Sequence, residues 1–288
     1  MARAEFFRQI FLDAFRSASD AKHRPDPAKW RDDEITGSVL GHSTVLMNFL
    51  GSWLLTDPVF SMRVGIGWNP FIIGPKRHLR LALPIRELPK PEFILLSHAH
   101  FDHLDTSSLR RFSRDTPIVT AKGTADLLRR FRNVHELAWG ESFQSSSIDI
   151  SAVKVNHWGA RMIKDEHRGY NGYVIEKAGH RIFYAGDTAM TDAFSHLGAD
   201  GKTYDLALMP IGAYDPWIRA HCTPEQARTM ALAAGAKTFV PMHHQTFKLS
   251  SEPMDEPSQR IREAFASGPG KLLAVDVGET FVVPTRAA

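Results

Sequence analysis

Several features that would classify this chain quickly are absent from it. Cys222 is the single cysteine in 288 residues, which excludes an intrachain disulfide and a cysteine-rich metal site. That scarcity fits a reducing, cytoplasmic setting. No apolar run is long enough to cross a bilayer. The N-terminal stretch MARAEFFRQIFLDAFRSASD lacks the unbroken apolar core of a signal peptide, because Arg8, Asp13 and Arg16 interrupt it. Charge is nearly balanced, 35 Lys and Arg against 32 Asp and Glu, and gives no ground to expect a nucleic-acid partner. The basic residues of GPKRHLR (74–80) and Arg129, Arg130 and Arg132 read as solvated faces. Neither a low-complexity segment nor a clear internal repeat is present.

What remains is an ordinary globular composition, 43% hydrophobic and 23% charged, long enough to bury a sizeable core. Phe7, Ile10, Phe11, Ala14, Phe15 and Ala18 recur at helical spacing and predict an amphipathic helix. That helix is expected to pack on the body of the protein or on a second copy; its arginines would also suit a membrane surface. PDPAKWRDDE (25–34) reads as a linker, so residues 1–34 form an N-terminal attachment and 35–288 the main body. Strand-like runs follow: SVLGHSTVLMNFL and SWLLTDP on either side of Gly51, then EFILLSHAH, PIVTAKG and SSIDISAVKVNHW. GYVIEKAGHRIFYAGDT predicts two strands turning at Ala178-Gly179. YDLALMPIGA, KTFVPMHH and the closing KLLAVDVGETFVVP add further strands. Helices are predicted from Thr106 to Phe112, over TADLLRRF, over TPEQARTMALAAGA and over SQRIREAFASG. The order points to an α/β body with two sheets inside and helices outside.

Polar residues able to bind metal stand repeatedly at strand ends. The clearest case is LLSHAHFDHLD (95–105), where an apolar run breaks into three histidines and two aspartates. Residues two apart in an extended segment point the same way, so His98 and His100 can serve one point beyond the strand. Asp102 and His103 are adjacent and reach inward together only if the chain turns, which the expected helix start supplies. Two neighbouring sites result, with donors suited to zinc, iron or manganese. His-x-His-x-Asp-His arises by chance in about two of a thousand such chains, so core histidines satisfied by hydrogen bonds explain it poorly. His157 in VNHWGAR, Asp187 in YAGDT and His243 in VPMHHQTF end other strands and read as third ligands and a bridging carboxylate.

With these motifs in place, the chain resembles the metallo-β-lactamase superfamily. The closer likeness is to the branch of N-acylphosphatidylethanolamine-hydrolysing phospholipases D and ascorbate-phosphate lactonases. The likeness runs from about residue 36 to residue 265, through GHSTVLMNFLGSWLLTDPVF, GPKRH, ILLSHAHFDHLD, VNHWGAR, FYAGDTAMTDAF, MPIGAYDP, HCTPEQA and PMHHQTF. It implies a four-layer αββα sandwich with two divalent ions, zinc first, between the tops of the sheets. His98, His100 and His157 would bind one ion, Asp102, His103 and His243 the other, and Asp187 would bridge them. Asp57 in the LTDP loop would orient a ligand imidazole from behind. His221 would lie near substrate, with Trp158 and Tyr214 as pocket walls. The implied activity is hydrolysis by a water held between the ions, with Asp102 handling its proton. The implied substrate is a small-molecule or lipid ester, first a phosphodiester such as a phospholipid. A lactone, another cyclic ester or a β-lactam is the alternative; an RNA-processing nuclease and a binding-only protein rank lower. The branch pattern His-Trp-Gly is here His243-His244-Gln245, which leaves His244 as a competing ligand.

Overall fold

The computed structural model describes residues 16–67, 71–162, 164–198 and 201–284. Most of the expected N-terminal helix lies outside these residues; residues 16–18 have no regular secondary structure. Two seven-stranded sheets make up the body. The first contains β1 (Ile35–Gly41), β2 (Thr44–Phe49), β3 (Ser52–Thr56), β4 (Phe93–Leu96), β5 (Ile118–Ala121), β6 (Val134–Leu137) and β14 (Thr280–Val283), in the order β14-β1-β2-β3-β4-β5-β6. The second contains β7 (Ser142–Gln144), β8 (Asp149–Val153), β9 (Gly172–Lys177), β10 (His180–Tyr184), β11 (Leu206–Pro210), β12 (Thr238–Met242) and β13 (Lys271–Leu272), ordered β13-β12-β11-β10-β9-β8-β7.

Strand alternation creates the layers. In β4, Phe93 and Leu95 face the second sheet, while Ile94 and Leu96 face outward. In β11, Leu206 and Leu208 point into the same inter-sheet core, and Ala207 and Met209 point away from it. Helices α2 (Pro224–Ala233) and α3 (Glu256–Ala264) cover the outside of the second sheet through Ala227, Met230, Ala231 and Ile261. The first sheet is covered by α1 (Thr106–Leu109), short 3-10 turns and loops, with Leu109, Phe112, Leu128 and Phe131 buried against it. The result is the αββα sandwich expected.

Local chemistry explains the boundaries. Asp105 caps α1 by accepting from the Ser107 amide. Thr223 and Gln226 form a reciprocal capping box at α2, with Pro224 in the first turn. The β9–β10 hairpin turns at Ala178 and Gly179, both with positive φ, as such a two-residue turn requires.

Two local expectations are corrected, and two strands went unpredicted. SVLGHSTVLMNFL is two antiparallel strands, broken by a turn at His42 and Ser43. TADLLRRF forms only a 3-10 turn over Ala125–Leu127, because the Thr124 and Ala125 amides both bind Glu136 Oε1 and Thr124 Oγ1 returns to the Ala121 carbonyl. Strands β6 and β7 are edge elements whose partly exposed, mostly polar residues hide the strand pattern.

Strands β3 to β6 run parallel, and so do β10 to β13. Their carboxyl ends therefore open at one edge of the sandwich. Loops following β3, β4, β10 and β12 carry Asp57, His98, Asp187 and His243 to that edge.

Candidate metal centre

Nearly all the expected metal-binding side chains converge there. His98 Nε2 lies 2.8 Å from His100 Nδ1, and His157 Nε2 lies 3.3 Å from the same atom. His100 thus turns Nδ1 inward while His98 and His157 turn Nε2 inward. A second group comprises Asp102, His103 and His243, joined by His42; its donor atoms all lie within 4.8 Å of one another. Asp187 stands between the groups. Its Oδ2 is 3.0 Å from His103 Nε2 and 3.1 Å from His243 Nε2, and 3.8 and 4.0 Å from the Nε2 atoms of His157 and His98.

The sequence folds locally to permit this. Gly186 adopts φ +59°, and a Cβ there would come within 2.8 Å of the Asn171 carbonyl and of the Ser97 side chain. Only glycine lets the Asp187 turn approach the His98 loop so closely. His42, Asp57 and His243 also have positive φ, at 56°, 32° and 60°. Non-glycine residues held this way cost free energy and concentrate at functional sites.

A layer of hydrogen bonds behind the cluster fixes the imidazoles. Asp57 Oδ2 accepts from His103 Nδ1 (2.6 Å), Ser97 Oγ (2.5 Å) and the Tyr184 hydroxyl (2.5 Å), while Oδ1 accepts from the Ser97 amide (2.7 Å). His157 Nδ1 donates to the Ala220 carbonyl at 2.8 Å. Each bond holds a proton on Nδ1 and turns Nε2 inward, toward the place where an ion would take its lone pair. Arg161 fastens the motif loop by donating to the Ala99 and Leu104 carbonyls, with its guanidinium 4.0 Å from the Phe101 ring centroid.

Electrostatics divides the histidines into two kinds. Burial pushes His98 and His157 well below the ordinary imidazole range and His100 and His221 to about 4. These rings are neutral, the form that ligates metal. Burial also opposes charge on His103 and His243, but Asp187, with Asp102, overrides it; His103 is raised well above its usual value and His243 to about 9. Burial likewise works against ionisation of Asp102 and Asp187, yet the neighbouring His103 holds both carboxyls well below the usual range. His103 Nε2, His243 Nε2 and Asp187 Oδ1 are buried without an aligned hydrogen-bond partner. So many inward donor atoms with so few proton-sharing bonds are costly unless a cation collects their lone pairs. The donor set fits divalent metal ions.

The remaining expected residues fall at the margin. His221 Nδ1 is 3.9 Å from Asp187 Oδ2 and has no hydrogen-bond partner. Trp158 is half exposed, its ring 4.7 Å from that of His100 and 4.5 Å from that of His157. The Tyr214 hydroxyl donates to Glu256 Oε1 at 2.6 Å, and its ring packs under Arg260. His243 joins the cluster, whereas His244 is in none of the donor groups; burial lowers its pKa to about 4, opposed by Asp276. Sequence reading missed His42, Ser97 and Tyr184. A Gly-His pair in a strand-breaking turn and a tyrosine three residues before Asp187 were the available signals.

Matches to known proteins agree with this fold. The chain belongs to the β-lactamase superfamily: the model of the Beta-lactamase superfamily domain matches residues 52–244. An uncharacterized protein of Mycobacterium tuberculosis is 31% identical over 250 residues, 83% of this chain and 66% of that one. The chain therefore spans just under two thirds of that relative's length. The N-acyl-phosphatidylethanolamine-hydrolyzing phospholipase D 1 of Caenorhabditis elegans is 29% identical over 271 residues, 86% of this chain and 75% of that one. Igni18, a metallo hydrolase from Ignicoccus hospitalis, shares the fold at a TM-score of 0.64 and 20% identity, over 88% of this chain and 99% of that one. Among the described residues, no helix is long and apolar enough to cross a membrane.

Proposed function

We propose that the chain is a metal-dependent hydrolase that cleaves a phosphodiester, using two divalent ions, zinc in first place, held within the 35–288 body. The observation that carries this reading is the place of Asp187. Its Oδ2 lies within 4.0 Å of the inward nitrogens of His98 and His157 on one side and His103 and His243 on the other. A carboxylate facing both sets is what a bridging ligand requires. His98, His100 and His157 would hold one ion and Asp102, His103 and His243 the other. When bound, such a pair supplies a nucleophile from water near neutral pH and neutralises charge that develops on a substrate oxygen.

The chain's own side chains orient and shuttle. Asp57 and the Ala220 carbonyl keep the His103 and His157 protons on Nδ1, away from the centre. Asp102 is the ligand carboxylate nearer solvent, with 16% of its side chain exposed, and is placed to take up a proton from attacking water. His221 faces the same space with a free Nδ1, placed to hold a proton or bind a substrate oxygen. Trp158 forms an apolar wall at the mouth; Tyr214 is buried and held by Glu256 and Arg260. The phospholipase D named among the relatives supports a phospholipid-type ester.

Metal analysis and a substrate panel test this together. The panel comprises bis(p-nitrophenyl) phosphate, vesicles containing N-acylphosphatidylethanolamine, a lactone and a chromogenic cephalosporin. Two ions per chain and turnover of the phosphodiesters are expected. Asp187→Ala should lose at least one ion and lower turnover about a thousandfold or more. A variant with both ions and full activity refutes the site; turnover of the lactone alone refutes the phosphodiester.

A further inference from the structure

His42 has no task in the chemistry above, yet it is as buried as the ligands, 1% exposed, and shares their cluster. Its Nε2 lies 3.0 Å from Asp102 Oδ2. This is the nearest donor to that carboxylate, since His243 Nε2 and His103 Nε2 stand 3.6 and 3.7 Å away. An ionised carboxylate only accepts, so the proton must sit on His42 Nε2. The other ring nitrogen agrees, because Nδ1 is buried and faces no acceptor among the described residues. A nitrogen that donates its proton to Asp102 cannot offer the same site's lone pair to an ion.

The backbone of His42 reaches a second member of the same set. Its carbonyl accepts from the His243 amide at 3.0 Å, and its amide donates to Thr246 Oγ1 at 2.6 Å. The His42 and His243 ring centroids are 4.0 Å apart, and Phe247 meets the His42 ring edge-on at 5.2 Å. His42 stands in the β1–β2 turn of the first sheet, whereas His243 follows β12 of the second. One residue thus bonds Asp102 by its ring and His243 by its backbone, across the seam between the sheets. His103 has Asp57 behind it and His157 has the Ala220 carbonyl; among the described residues, Asp102, on the solvent side, has His42 in that role.

Resting on the two-ion reading above, we propose that His42 is a positioning residue that sets the second ion's donor group. It orients Asp102 through Nε2–H and keeps His243 in register with it, without itself ligating. Groups that orient ligands in this way typically change metal affinity about 10- to 100-fold when removed.

The test is zinc titration against a chromophoric chelator, on full-length wild type, His42→Leu and His42→Gln, with thermal unfolding of each metal-free form. His42→Leu should keep one ion at wild-type affinity and bind the other about 10- to 100-fold more weakly. His42→Gln, whose amide can reach Asp102 as a donor, should recover most of that loss. Wild-type affinity for both ions in His42→Leu overturns the proposal. So does a loss in His42→Gln as deep as in His42→Leu with both metal-free forms folded, which would make His42 a ligand. Wild type that binds no zinc refutes instead the two-ion reading itself.

Discussion

Asp57→Asn tests the support behind His103 with one changed atom. Asp57 Oδ2 accepts three hydrogen bonds and Oδ1 one, all from fully buried partners. The best asparagine pose keeps its oxygen at the Oδ2 position and turns its amide toward the Ser97 N–H. The Ser97 and Tyr184 hydroxyl bonds then change from charge-assisted to neutral and the His103 bond loses its carboxylate partner, a loss of roughly 1 kcal/mol each. The opposed Ser97 and asparagine N–H groups add a penalty of about 1–3 kcal/mol. Relief of the carboxylate's own desolvation offsets part of this, leaving a net destabilisation of about 2–4 kcal/mol. For a chain this long the midpoint of thermal unfolding should fall by roughly 4–15 °C. Tyr184→Phe removes a single donor and should cost only about 1–2 kcal/mol. Urea unfolding of the metal-free variants measures both, and zinc titration should show a 10- to 100-fold weaker second site in Asp57→Asn. Stability within about 1 kcal/mol of wild type, with unchanged zinc affinity, would refute the reasoning.

Other expectations follow from the same geometry. Gly186→Ala places a Cβ within 2.8 Å of the Asn171 carbonyl and the Ser97 Cβ at a φ of +59°; it should destabilise by about 2 kcal/mol or more and lower metal content, read by unfolding and elemental analysis. Thr223→Ala removes the capping box of α2 and should cost about 1 kcal/mol in urea unfolding. His243 is raised from 6.5 to about 9 by its carboxylate neighbours, against the effect of burial. In the metal-free chain its contribution to stability is complete below about 6.5 and is lost as pH rises through about 9. Zinc affinity should rise over the same window, because binding must displace the His103 and His243 protons. Calorimetry in buffers of different ionisation enthalpy measures that proton release; none at pH 7.5 would contradict it.

Features that act over short sequence distances were legible in the sequence. The β9–β10 hairpin could be read because Ala178-Gly179 sits between two apolar alternations. Likewise, Thr223-Pro224 marks the start of α2 by chemistry confined to one turn. TADLLRRF misled because its apolar spacing suits a helix, whereas its fate is decided by Glu136, eleven residues away from Ala125 on a neighbouring strand. Edge strands β6 and β7 left little pattern, since β6 has three half-buried residues before its buried Leu137 and β7 exposes Ser142 and Gln144 around a half-buried Phe143.

The candidate site obeys the same distinction at longer range. His98 to His103 are legible because one strand and one turn aim them all. His157, Asp187 and His243 could be noticed as strand ends, but that they meet depends on parallel strands opening at a common edge. The residues behind them are harder still to see. Ser97 and Tyr184 carry ordinary strand chemistry, and only their meeting at Asp57, 40 and 127 residues away, separates them from core packing. His42 sits in a turn where a lone histidine attracts no notice. Its partner Asp102 is 60 residues away, and His243, which bonds its carbonyl, comes from the opposite sheet. A group that offers donors inward needs recognisable residue types; a group that holds those donors in place needs only a hydrogen bond at the right point. Many residue types can supply that bond, so the supporting layer has the weaker sequence signal even where its geometry is as strict as that of the ligands.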